Sequence, residues 1–275
     1  MARWKMVGLL LLTTAMTLSA SGAPNDALAR PRLESMLEYG DETWIVATFE
    51  RHPGGVLPFF DGYLEEGLAL IEAGGEIQAA HRLFRTAGQF AAIASYTFEE
   101  PLFATYAAHF PSWSPTEQER FRAGQRAYKA GRSAASPAEA LPSFTESFRL
   151  AQPLGDAWGM AMAAAALARV HGELGDHDAS WHYYGIAADL YGRMRMTDSL
   201  IAVHLTQAGF RADTDDAAVA DRRVATFTRA WHIVRNRNEH PRRAEVADAY
   251  VAALRAKGET AQARVIEAEA ARLHR

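Results

Sequence analysis

Residues 157–195, AWGMAMAAAALARVHGELGDHDASWHYYGIAADLYGRMR, decide the fold. In the first half, Met160, Met162, Ala163, Ala166, Leu167 and Val170 recur at three- and four-residue spacing, the period of a helix with one buried side. Gly175 stops that helix, and Asp176 or Asp178 can cap a second. Ala179, Tyr183, Tyr184, Ala187, Leu190 and Tyr191 carry the period onward. Helices this short hold poorly alone in water, so the hairpin must pack on neighbours of its own kind.

Those neighbours are found by lining up the second helix of each pair. Phe144/Ser147, Tyr184/Ala187, Phe227/Ala230 and Glu267/Ala270 each set an aromatic or long residue three positions before a small one, and the small residues are 40, 43 and 40 apart. Gly131, Gly175 and Gly258 are read as turn glycines before the second helices, with Asp213-Thr214-Asp215-Asp216 in their place in the third unit. Ser114-Pro115-Thr116-Glu117 and Ser136-Pro137-Ala138-Glu139 are two copies of one helix start, with a capping serine, proline at the first position and a returning glutamate. Pro142 requires that its helix begin near Glu139 or be kinked. Four helix pairs over residues 114–275 at a period of about 40 are the signature of an all-α, right-handed helical-hairpin solenoid.

Ahead of them, residues 24–112 give an irregular α-helical region. Two short helical patterns cover Asn25–Glu50, with a start at Asp41. Arg51–Gly55 is read as a break. A long amphipathic helix follows over Val56–Ala73 on Phe59, Phe60, Tyr63, Leu64, Leu68, Leu70 and Ile71, ended by Gly74-Gly75. Glu76–Phe98 and Glu99–Phe110 are the next two helices, and His109–Trp113 is read as the linker to the array.

The pairs resemble the tetratricopeptide repeat family, through Leu167, Gly175, Ser180, Tyr184 and Ala187 in the best unit and Tyr250, Gly258, Ala263 and Ala270 in the last. The period is about six residues longer than the family's 34, Ala164 and Ala247 stand at its tryptophan position, and its terminal proline is missing. The layout, with FRAGQRAYKAGR at 121–132 after an irregular helical region, also resembles the helical front half of bacterial proteins that continue into a CHAT-type peptidase. Such a peptidase needs a histidine and a cysteine. The resemblance therefore implies a peptidase that is absent or encoded separately, and carries over no catalytic residue.

The 275 residues are 49% hydrophobic and include no cysteine, which excludes disulfides, thiolate zinc sites and a cysteine nucleophile. Arg3 and Lys5 precede an apolar run from Met6 to about Leu18, followed by Ser19–Ala23, the order of a secretory signal peptide cleaved after Gly22, with an uncleaved N-terminal anchor as the alternative. Its removal leaves 27 basic against 33 acidic residues, a net charge of −6. An exported, periplasmic or extracellular protein without a further membrane span is expected, and nucleic acid is disfavoured as a partner.

No stretch carries an obvious chemistry. His171, Glu173, Asp176, His177 and His182 crowd one turn at spacings poor for a metal, and Asp213, Asp215 and Asp216 lack the glycine and closing glutamate of a calcium loop. Glu65-Glu66 and Glu99-Glu100 diverge on their helices and are assigned to a solvated face, and the arginine-rich stretch from Arg222 to Arg243 to a solvated or partner-facing charged side. No GxSxG elbow or phosphate loop is present. No cofactor, metal or catalytic residue is expected. What remains is the surface of the first helices, which in repeats of this family lines the concave face. Register places Gln118, Arg122, Gln125, Lys129, Met162, Arg169 and Glu245 there as candidate contacts for a protein or peptide partner. The expectation is a scaffold without catalysis. The alternatives are an α-helical hydrolase or lyase, betrayed by two close carboxylates of raised pKa in a cleft, and the sensor half of a separate enzyme.

Overall fold

The computed structural model describes residues 28–209, 216–236 and 240–273. The expected signal segment and Asp213, Thr214 and Asp215 lie outside them. The described residues form thirteen α-helices and no strand. Five precede the pairs: α1 (Arg30–Glu38), α2 (Glu42–Arg51), α3 (Pro53–Glu72), α4 (Ile77–Phe98) and α5 (Leu102–His109). The pairs are α6 (Pro115–Ser133) with α7 (Pro137–Ala151), α8 (Ala157–Glu173) with α9 (His177–Arg193), α10 (Thr197–Gly209) with α11 (Ala217–Arg235), and α12 (Arg243–Ala256) with α13 (Thr260–Leu273). From α6 onward each helix packs on its successor.

Local chemistry sets the helix starts. Ser114 accepts from the Glu117 amide while the Glu117 carboxylate takes the Ser114 amide, a closed capping box. Ser136 repeats the first half of it, but Glu139 reaches back to the Ala135 amide instead. Asp41, Asp156, Asp176 and Asp216 cap α2, α8, α9 and α11. α7 begins at Pro137 and runs on through Pro142. Gly175 and Gly258 adopt φ of +84° and +86° in the turns after α8 and α12, where a side chain would be strained.

Three expectations are corrected. Gly131 is not a turn residue: it lies inside the last turn of α6, where a Cβ would stand 2.8 Å from the Phe144 ring. It is glycine because α7 packs that close. The break expected over residues 51–55 is a single residue, His52, between the end of α2 and the start of α3. Pro53, with φ already fixed, takes the first position of α3, so Gly54 and Gly55 belong to its first turn. Nor is 109–113 a loose linker. Phe110 and Trp113 are buried, with ring centroids 4.2 Å apart and both against Phe121 of α6.

That aromatic joint is part of a larger union. One buried cluster contains Phe60, Leu64 and Phe90 of the N-terminal helices together with Ala157, Ala161, Ala164 and Ala168 of α8. These alanines, at spacings of four, three and four, form a second buried side of α8. Ala166, Leu167 and Val170 form the other, against Phe144 of α7. α8 is thus buried on two faces, and alanine leaves room for helices on both. A separate cluster holds α10–α13 together, around Phe227, Trp231, Tyr250 and Leu254. Arg243, 5% exposed, serves it by donating to the Val234 and Leu273 carbonyls at the ends of α11 and α13. No helix among the described residues is long and apolar enough to cross a membrane.

Candidate functional site

The surface expected to receive a partner is largely met by the chain itself. Arg122 of α6 donates to Glu65 at 2.6 Å and, through Nε and a terminal nitrogen, to both oxygens of Glu72 at 2.7 and 3.0 Å. Gln125 donates to the other Glu65 oxygen at 2.6 Å. Glu65 and Glu72 belong to α3, so two of the expected contact residues clasp the N-terminal region to the first pair. A second clasp lies at the turn after α9, where Arg193 makes a two-point bond to Glu100 and Arg195 donates to the Phe98 carbonyl. Glu65 and Glu100 were expected on a solvated face. They are instead partly buried and bonded, because α3 and the end of α4 face the pairs rather than water.

The other expected contacts are dispersed. Gln118 donates to the Trp113 carbonyl, Arg169 pairs with Glu173 along α8, and Glu245 pairs with Arg242. Lys129 is exposed beside Glu72, Glu119 and Arg126 in a shallow polar cleft. His171 stacks on Tyr183 and approaches Asp176 at 3.2 Å. No group of three or more histidines and carboxylates among the described residues is arranged to hold a metal.

Met162 and Gln125 share one feature. Both line a cavity of about 330 Å³ at the seam between the N-terminal helices and the first two pairs. α3 contributes Asp61 and Glu65, α5 contributes Tyr106, and α6 contributes Arg120, Phe121 and Tyr128. Ser147 and Ala151 of α7 complete the lining with Asp156, Trp158 and Gly159 at the start of α8. The volume falls within the range of small-molecule and single-residue pockets.

Two of its carboxyl groups are out of the ordinary. Asp61 is 8% exposed, and Tyr106 donates its hydroxyl to Asp61 Oδ1 at 2.6 Å. Burial pushes its pKa up to about 7, against the lowering effect of the Tyr106 bond and with help from the charges of Glu65 and Asp156. Asp156, 7% exposed, accepts from the Gly159 amide through Oδ1, and burial pushes it up to about 6. A side chain at 159 would strike Asp156 Oδ2, at 2.0 Å from the Cβ position. Glu65, by contrast, is satisfied at both oxygens by Arg122 and Gln125.

The residue reasoning missed was Asp61. Leu57, Asp61, Leu64 and Leu68 follow one helical stripe, and a lone carboxylate on an apolar stripe is the signal that marks it. Asp156 was missed as well; it stands just before the Ala-rich run as the cap of α8. No protein-family model matches the chain, and neither does any curated protein.

Proposed function

We propose that this is a binding protein without chemistry of its own. In this reading α6–α13 are a tetratricopeptide-like, right-handed solenoid with a period of about 40, and the N-terminal helices are docked on its first two units. The partner is a protein or peptide, held at the seam rather than along an open groove. The observation that carries the reading is the seam cavity, enclosed by helices from both regions, walled by aromatic rings and able to take one side chain or chain end as an anchor. The regular burial of Phe144, Tyr184 and Phe227 with Ser147, Ala187 and Ala230 supports the repeat reading. The export reading rests on the sequence of residues 1–23 alone.

A second reading is favoured by one observation. Asp61 and Asp156, both raised by burial and both on the cavity, are the feature expected of a carboxylate-based hydrolase or lyase. One experiment separates the two: select a displayed peptide library on the chain, with Met162→Trp as a variant whose cavity is filled. Peptides enriched on the wild type and lost on the filled variant sustain the binding protein. Turnover of fluorogenic glycoside or peptide substrates, abolished by Asp61→Asn, with no such peptides, would transfer the cavity to the enzyme.

A further inference from the structure

We propose that the seam cavity receives a primary alkylammonium group, its charge set against Asp61 and Asp156 and its alkyl stem along Phe121 and Trp158. The inference rests on the cavity being the recognition site, and adds the chemistry of what it recognises.

α3 presents Asp61 and Glu65, α5 presents Tyr106, α6 presents Arg120 and Tyr128 with Arg122 just outside, and α8 begins with Asp156. α7 adds no ionisable group to the lining. Arg122 and Gln125 account for Glu65. That leaves Asp61 and Asp156, each more than nine-tenths buried and each with a single protein hydrogen bond, both to Oδ1. Both residues line the cavity, and neither second oxygen has a donor among the described residues. Arg120 lines the cavity as well, but forms no ion pair with either carboxylate.

Two buried carboxylates with spare acceptor capacity call for a compact multi-donor cation. An ammonium offers three N–H groups, whereas a neutral ligand would leave the charges unmet. Phe121 and Trp158 of the same lining supply apolar surface against which an alkyl stem can pack. A carboxylate or phosphate would add a third negative charge to the same enclosure.

Proton linkage gives the inference its signature. Without ligand, Asp61 and Asp156 hold protons below about pH 7 and about pH 6 respectively, and an incoming ammonium must expel them. The amine itself stays charged across this range. Binding should therefore weaken by about tenfold or more from pH 8 to pH 5.5.

The test is calorimetric and NMR titration of the whole chain with n-butylamine, 1,5-diaminopentane and N-acetyl-lysine methylamide, against 1-butanol and butyrate. Amines should bind at least about tenfold more tightly than butanol or butyrate, with proton release at pH 6 visible as a dependence of heat on buffer. Asp61→Asn should remove that tightening while keeping the circular dichroism spectrum, and Met162→Trp should block all probes. Tighter binding of the lysine derivative would assign the ammonium to a peptide side chain, and tighter binding of the free amines to a small metabolite. Either sustains the proposal. Butanol binding as well as butylamine, no amine binding at millimolar concentration, or wild-type binding without proton release would overturn it. Cavity-dependent library peptides that lack any amine-bearing anchor would overturn it too, while leaving the binding-protein reading in place.

Discussion

Arg122, Met162 and Glu245 stand at one register position of three helix pairs, 40 and 83 residues apart, and meet three different surroundings. Arg122 is tied to Glu65 and Glu72 of α3, Met162 walls the seam cavity, and Glu245 faces water beside Arg242. Ala161 and Ala244, also 83 apart, differ in the same way: the first is fully buried and the second exposed. The clasped pairs, α6–α9, and the last pair, α12 with α13, thus share a helix pattern and differ in what lies against the first helices; α10 stands between them, with Val203 in the buried cluster of the N-terminal helices. Helix spacing prescribes the pairs, but what the shared face meets is decided by a region that precedes them.

The sharpest way to break this contrast is to place one charge at both alanines. Ala161→Arg buries an unpaired cation and overpacks the cluster around α8, and should cost about 4 kcal/mol or more, to the point of unfolding. Ala244→Arg should stay within about 0.5 kcal/mol. Urea denaturation of the two variants gives the comparison directly, and equal losses would mean that both pairs are equally covered.

Asp61 offers a pH test confined to the clasped region. Its folded pKa of about 7 lies above the unfolded value, so the folded state holds the proton more tightly and stability falls as pH rises from about 4 through about 7. The difference amounts to on the order of 4 kcal/mol, and Asp156, raised less, adds to the same slope. Asp61→Asn should flatten most of that fall and leave the chain more stable than wild type at pH 8. A wild-type midpoint in urea that rises between pH 5 and pH 8 would contradict the sign.

Gly131→Ala should cost about 1–3 kcal/mol, since the added methyl meets the Phe144 ring and must push α7 away. Gly185→Ala, where a Cβ meets nothing within 4 Å, should be neutral or slightly stabilising in its helix. Thermal melts separate them. The smallest effect concerns ion pairs. Arg122→Gln loses partly buried bonds to two glutamates, about 1–2 kcal/mol, while Arg255→Gln loses an exposed pair with Glu267 and should be near zero. Added salt should erase any effect of the second before it erases the first.

Much of the helix layout was legible because its signals are local. Capping serines, Pro115 and Pro137 at first positions, and the three-four spacing in α3, α4, α8 and α9 act within one or two turns. What was not legible is non-local. α8 read as a helix with one buried side because Met160, Leu167 and Val170 are large and regular. Its other side carries only Ala157, Ala161, Ala164 and Ala168, and small residues announce neither burial nor exposure. Likewise the arginine and glutamine of α6 have the composition of an open groove, and only the fold shows that Glu65 and Glu72 reach them first. Asp61 was hidden for the opposite reason: its neighbours are so apolar that the stripe stands without it, and its partner Tyr106 lies 45 residues away.

The clasp itself is best tested by amide hydrogen exchange of the whole chain, followed by mass spectrometry. If α3 and α8 share one core, their slowest amides should open with the same free energy, and Arg122→Gln should lower both together while α12 and α13 are unchanged. Exchange of α3 at a lower free energy than α8, with α8 keeping its protection when α3 opens, would contradict the account.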